Sequence, residues 1–219
     1  MTSPADQLQE ITQEINTCQK CSLYQSATHA VPGQGNPQAK IVFIGEAPGF
    51  YEDQQGIPFV GRSGQLLDYC LEKISLKRDD VWIGNVLKHR PPKNRDPQPE
   101  EIKACKPFLD RQLKIIQPEF VVTLGRFAME KFISGVYISR AHGQPRFISW
   151  ESSKFFLFPM YHPAAALRNP KVKKDFYQDF KKLKHYLISP PQKSEKPVTM
   201  STKKQEKKTK ENNQQMSLL

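Results

Sequence analysis

No apolar run in this 219-residue chain is long enough to cross a bilayer. Its first residues, MTSPADQLQEI, lack both the basic start and the apolar stretch of a secretory signal. Both absences lead to the expectation of a cytoplasmic protein. Cysteine is scarce: there are four, at positions 18, 21, 70 and 105. In a reducing compartment such thiols are expected to be free, buried or metal-bound rather than paired in disulfides. No internal repeat is visible. Large apolar residues nearly vanish from about Ser189 onward, where Lys, Gln, Glu, Asn, Ser and Thr take over. Such a stretch cannot bury enough surface to offset its ordering entropy. The expected organisation is a folded domain over 1–188 and a disordered, lysine-rich tail over 189–219.

Basic residues are present in excess. The formal net charge is +11. The tail holds seven Lys and three Glu, a net +4, which leaves +7 on the folded part. Basicity spread over both parts suits a polyanionic partner, and nucleic acid is the usual one.

The apolar pattern alternates between short runs and helical stripes. Ile41–Ile44, Val81–Val86, Phe120–Leu124 and Phe155–Met160 read as strands. Between and after them, stripes of period 3.6 predict helices over 63–75, 99–116, 126–133 and 171–187. Ser3 and Pro4 open a further helix as cap and first residue. Strands alternating with helices predict an α/β domain with a mainly parallel, four-stranded central sheet. Ligands of such sheets bind beyond the carboxyl ends of the strands. Three chemically suggestive loops begin there, after Ile44, after Val86 and after Met160.

The first loop carries Gly45-Glu46-Ala47-Pro48-Gly49, then Glu52-Asp53, then Pro58-Phe59-Val60-Gly61-Arg62. Glycines at a strand end let backbone amides approach a ligand. Phe59, between proline and valine in a loop, is either an anchor or a flat face for a base. The second segment, Asn85-Val86-Leu87-Lys88-His89-Arg90-Pro91-Pro92-Lys93-Asn94-Arg95, offers an amide that can read a pyrimidine edge and cations suited to phosphate. The third, Tyr161-His162-Pro163-Ala164-Ala165-Ala166-Leu167-Arg168, places an imidazole at a strand end. It also sets Leu167 beside Arg168 as a possible wedge and clamp.

Taken in order, GEAPGFYEDQQGIPFVGRSGQLLD, NVLKHRPPKNRDPQPEEIKACKPFL and YHPAAALR resemble the family 4 uracil-DNA glycosylases over residues 8–187. The resemblance implies an enzyme that flips uracil out of DNA, hydrolyses its N-glycosidic bond and leaves an abasic site. Gly45, Glu46 and Ala47 would line the uracil pocket. Phe59 would stack on the base, Asn85 would bond its edge, and Glu52 would close the pocket to thymine's methyl group. Glu46 and His162 would be catalytic, one toward water and the other toward the departing anion. Arg62, Lys88, Arg90, Lys93, Arg95, Leu167 and Arg168 would hold the DNA.

The same resemblance implies a 4Fe–4S cluster. Cys18, Cys21 and Cys105 match three of the family's four cysteine ligands, and His89 stands where the fourth thiolate is usual. Cys70 is the alternative fourth ligand, although it lies in the apolar stripe of its helix. A branch of the superfamily that traps uracil-DNA covalently through a histidine also carries His at this position. It has a basic insertion after the Lys-His element, whereas Arg90-Pro91-Pro92 follows here at once. A non-catalytic iron–sulfur DNA-binding module is the remaining reading, opposed by the intact Glu46, Phe59, Asn85 and His162 set. Finally, Gln215-Met216-Ser217-Leu218-Leu219 resembles the short peptides that dock on the bacterial sliding clamp. A monomer is expected.

Overall fold

The computed structural model describes residues 2–151 and 153–191. The tail from 192 onward, with the clamp-like peptide, lies outside them. The described residues form one six-stranded sheet, built from β1 (Gln34–Gly35), β2 (Ile41–Gly45), β3 (Trp82–Asn85), β4 (Phe120–Leu124), β5 (Arg146–Trp150) and β6 (Ser153–Met160). The spatial order is β1-β3-β2-β4-β6-β5. The four expected strands are its parallel centre: β3 with β2, β2 with β4, and β4 with β6. The two additional strands are antiparallel edges, β1 on β3 and β5 on β6.

Each sheet face has its own core. One unites Phe43, Leu67, Cys70, Val122, Phe158 and Phe180. It lies under helices α3 (Arg62–Lys73) and α8 (Pro170–Ile188). The other unites Ile44, Trp82, Leu109, Val121, Met129 and Leu157. It is covered by α4 (Pro99–Ile116) and α5 (Arg126–Glu130). Burial on both faces explains why the central strands read as unbroken apolar runs. Helix α1 (Pro4–Asn16) starts in a capping box: Ser3 Oγ accepts from the Asp6 amide at 3.1 Å, and the Asp6 carboxylate accepts from the Ser3 amide at 3.1 Å. Its Ile11 and Ile15 seat on Phe108 of α4. Three short helices complete the set: α2 (Phe50–Gln55), α6 (Ile138–Ala141) and α7 (Pro163–Arg168). Segments 50–55 and 163–168 were expected to be loop. Both carry one and a half turns of helix, too short to show an apolar period.

The strand order positions the site. From β2 the chain builds outward to β3 on one side and to β4 and β6 on the other. The crevice at that reversal lies beyond the carboxyl ends of β2 and β4.

Candidate functional site

Three strand ends and the loop between α2 and α3 deliver the expected side chains to this crevice. Gly45 and Asn85 are paired in register as the last residues of β2 and β3. A Cβ on Gly45 would collide with Asn85 Oδ1 and lie 2.5 Å from Phe59 Cζ. Only glycine lets these two side chains meet over the strand end. The Phe59 ring lies 6.0 Å from the His162 ring, tilted by 32°. Gly45, Phe59, Asn85 and His162 therefore form one contiguous group at the strand ends.

Phe59 is buried, with φ of +54°. A left-handed backbone is unfavourable for a non-glycine residue, and two neighbours hold it. Arg78 donates to the Phe59 carbonyl oxygen at 3.1 Å and also to that of Pro58. Gly64 lets α3 press on the same peptide, because a Cβ there would overlap the Phe59 carbonyl. Glu52 is buried one turn into α2, and its carboxylate accepts from the amides of Gly49, Val60 and Gly61 at 3.2, 2.9 and 2.9 Å. It ties the segment after β2 to the segment that carries Phe59.

Asn85 is only 1% exposed, and its Oδ1 has no hydrogen-bond partner. A buried carbonyl left unpaired costs about 1–3 kcal/mol, so it marks a place where a donor is awaited. His162 caps α7, and its Nδ1 accepts from the Ala164 amide at 3.1 Å. That bond leaves the proton on Nε2, the atom free to donate. Burial, with the charge of Arg168 adding to it, holds the imidazole down to about 4. The ring is neutral at physiological pH. Glu46 is moved the other way. Burial and the nearby Asp96 push its carboxyl up to about 7, with Arg126 partly offsetting them. Arg126 and Asp96 are themselves ion-paired. Sequence reasoning passed over both, although Arg126 directly follows the glycine that closes β4.

The cations divide. Arg62, Lys93 and Arg168 are exposed and Arg90 is half-exposed. Leu167 is exposed beside Arg168. Arg95 is half-buried, with its guanidinium paired to Glu101. Lys88 corrects the expectation of a phosphate contact: it is 0% exposed. Its Nζ donates to the carbonyl oxygens of Pro32 and Asn85 at 3.1 and 3.0 Å, and to Gln112 Oε1 at 2.9 Å. The Gln112 amide donates in turn to Pro32 at 2.9 Å. Buried without a counter-ion, Lys88 is pushed down to about 7. It is an internal strut under Asn85.

Of the cysteines, Cys105 and Cys21 are in contact. Cys105 donates to the Cys21 sulfur and holds that thiol down to about 6, while its own is raised. Cys18 and His89 line one small cavity of about 150 Å³ together with Tyr24 and His29. Burial lowers the His89 pKa, so the ring is a neutral donor of electron pairs. Among the described residues no three His, Cys, Asp or Glu side chains converge at metal-binding distance. Cys70 lies in the core on the α3 and α8 face, apart from the pocket of Leu23, Leu87 and Cys105.

Against known proteins, the sequence model described as the uracil DNA glycosylase superfamily matches residues 32–184. A Type-4 uracil-DNA glycosylase of Sulfurisphaera tokodaii is 46% identical over 191 residues, covering 84% of this chain and 87% of that one. The Type-4 uracil-DNA glycosylase of Archaeoglobus fulgidus is 46% identical over 184 residues, covering 81% and 92%. A Type-5 uracil-DNA glycosylase of Thermus thermophilus is 34% identical over 119 residues, 48% of this chain and 54% of that one.

Proposed function

The chain belongs to the uracil-DNA glycosylase superfamily, and from that premise we propose how its own residues perform the reaction. It is a uracil-DNA glycosylase acting in DNA repair. A base inside a duplex is out of reach, so the uridine is rotated out of the stack. The uracil ring then lies against Phe59. Asn85 Oδ1 accepts its N3–H, and the Asn85 amide donates to O4. The orphaned Asn85 oxygen is the observation that carries this reading, because uracil supplies a donor flanked by acceptors. Glu52 sets the pocket width by stapling its two walls, which supports exclusion of thymine's methyl group.

The bond between C1′ and N1 breaks with its electron pair leaving on uracil. His162 donates from Nε2 toward O2, where negative charge develops. A neutral donor that needs no reorganisation stabilises the transition state more than the ground state. Glu46, when ionised, orients a water beside C1′ and takes its proton as the water adds. Uracil is released and an abasic sugar remains. Arg62, Arg90, Lys93 and Arg168 hold phosphates without reading sequence.

Cys18, Cys21, Cys105 and His89 fit an iron–sulfur cluster as a donor set. A thiol held at about 6 beside a second sulfur favours thiolate ligation, and His89 offers a neutral imidazole. The cluster supplies structural cross-linking when bound. Ligated there, it would tie the segment after α1 to the loop after β3 and to α4. We extend the proposal to the terminal peptide Gln215–Leu219 as a sliding-clamp contact, tested by titrating the clamp with full-length chain and with a chain ending at Asn213.

The test of the main reading is release of free uracil from a labelled oligonucleotide. Wild type should release it. Asn85→Ala and His162→Ala should lower the single-turnover rate by about a hundredfold or more, with DNA binding changed much less. A band stable to denaturant in place of free uracil would indicate covalent trapping, and neither product would indicate a binding module.

A further inference from the structure

Two large aromatic side chains stand in solvent at the rim of the site, and the reaction does not use them. Phe50 is 51% exposed and Tyr51 is 57% exposed. They are the first two residues of α2, directly after the Gly45–Gly49 segment. Their rings meet edge-to-face with centroids 5.4 Å apart. Solvation gives no reason for adjacent exposed aromatics, and their apolar area is left uncovered.

Two loops of the site fix this pair. Glu52, the next residue, is bonded to the amides of Val60 and Gly61. Tyr51 lies against Gly61, where a Cβ would stand 3.3 Å from Tyr51 Cδ2. From the loop after β3, the Arg90 guanidinium sits over the Phe50 ring at 5.2 Å from its centroid. Arg90 is itself steered by Asn94, whose Oδ1 accepts from Nε at 2.8 Å. Its remaining N–H groups are free for an anion. An exposed aromatic face beside an oriented guanidinium is complementary to one repeating chemistry, a base attached to a phosphodiester.

We propose that Phe50 and Tyr51, with Arg90 over Phe50, form a stacking platform for a base of the uracil-bearing strand adjacent to the flipped nucleotide. This rests on the uracil-excision reading and adds a subsite to it. Stacking needs a base free of its own neighbours, so the platform favours single-stranded or locally opened substrate. It contributes to substrate capture rather than to bond cleavage, because both rings stand in solvent whereas Phe59 is buried.

The test uses the full chain and single-stranded uracil oligonucleotides. One substrate is fully based; the others carry a base-less residue on the 5′ or the 3′ side of uracil. Phe50→Ala/Tyr51→Ala should raise KM about tenfold on the based substrate, with kcat within about twofold. Wild type should suffer a similar rise on one of the two base-less substrates, and on that one the variant should lose nothing further. Phe50→Tyr should behave as wild type, and Phe50→Leu/Tyr51→Leu, which keeps bulk without a π face, should behave as the alanine pair. Equal KM for wild type and both double variants, or losses that add on every substrate, would overturn the platform. If wild type releases no uracil, the excision reading fails. Quenching of 2-aminopurine beside the uracil, present in wild type and absent in the variants, still decides the platform.

Discussion

Arg78 and Phe59 are nineteen residues apart, yet the guanidinium of one donates to the carbonyl of the other at 3.1 Å. The bond matters because Phe59 sits at φ +54°, a conformation that costs a non-glycine residue about 1–3 kcal/mol. Asp68 accepts from the same Nη1 at 2.8 Å and holds the guanidinium in place. Arg78→Ala should therefore let the Phe59 peptide relax and move the ring off the base. The expected result is a fall of about tenfold in kcat/KM for uracil release and a lower Tm. Arg78→Lys should recover only part, since an ammonium cannot fork between two carbonyls. Wild-type kcat/KM in Arg78→Ala with a lowered Tm would confine Arg78 to stability.

Lys88 yields a prediction of opposite character. Its three hydrogen bonds go to Pro32, Asn85 and Gln112, and none of it reaches solvent. Lys88→Met should destabilise the fold by about 2–4 kcal/mol, because buried acceptors lose their donor. It should leave the salt dependence of DNA binding unchanged. Lys93→Ala, by contrast, should reduce the slope of log K against log salt by about 0.7–0.9 with little effect on Tm. A reduced slope in Lys88→Met would restore it as a phosphate contact.

These two residues show what the sequence conceals. Lys88 sits in a run of His, Arg, Pro and Lys that reads as a solvated loop. Two of its three partners, Pro32 and Gln112, lie 56 and 24 residues away, and no local pattern announces them. Arg78 likewise follows a helix end and looks like a surface cation. Asn85, Gly45 and His162 were legible because strand ends in a parallel sheet converge by topology, so a polar residue there carries meaning without any contact being known. The central strands were legible from burial on both faces. The edges were not: β1 is two residues long, and β5, Arg146–Trp150, is mostly half-buried and lacks a continuous apolar run.

Glu46 sets a pH dependence. Its carboxyl is pushed up to about 7 by burial and by Asp96, and the ionised form is the one that takes a proton from water. The single-turnover rate should rise with pH through about 7 and level off above it. Glu46→Gln should be slow and flat. Stability should run the other way. A carboxyl raised in the folded state contributes stability that is present below its unfolded value and lost as pH rises through 7. Glu46→Gln should thus match wild type in denaturant unfolding at pH 4, below the unfolded value, and exceed it at pH 8. A wild-type rate that is flat from pH 6 to 8 would remove Glu46 as the proton acceptor.

The cysteines separate by position in the fold, and this makes the ligand set testable. Cys21 and Cys105 share a hydrogen bond beside Leu23 and Leu87, and Cys18 shares a cavity with His89. Cys70 is packed on the other side of the sheet, and burial pushes its thiol up to about 12. A thiol so placed stays protonated and cannot ligate without unpacking α3. Protein purified without oxygen should be yellow-brown and contain iron and sulfide. Cys18→Ser, Cys21→Ser and Cys105→Ser should each lose the colour and the iron. Cys70→Ser should keep both. His89→Cys should retain the cluster, because a thiolate can replace the imidazole at the same place. Stripping the metal from wild type should lower Tm, since ligand binding to the native state is folding free energy. The loss should fall on the segment after α1, read as faster amide exchange at Leu23. Colourless protein holding zinc would overturn the cluster, and iron lost from Cys70→Ser but kept in His89→Ala would transfer the fourth ligand to Cys70.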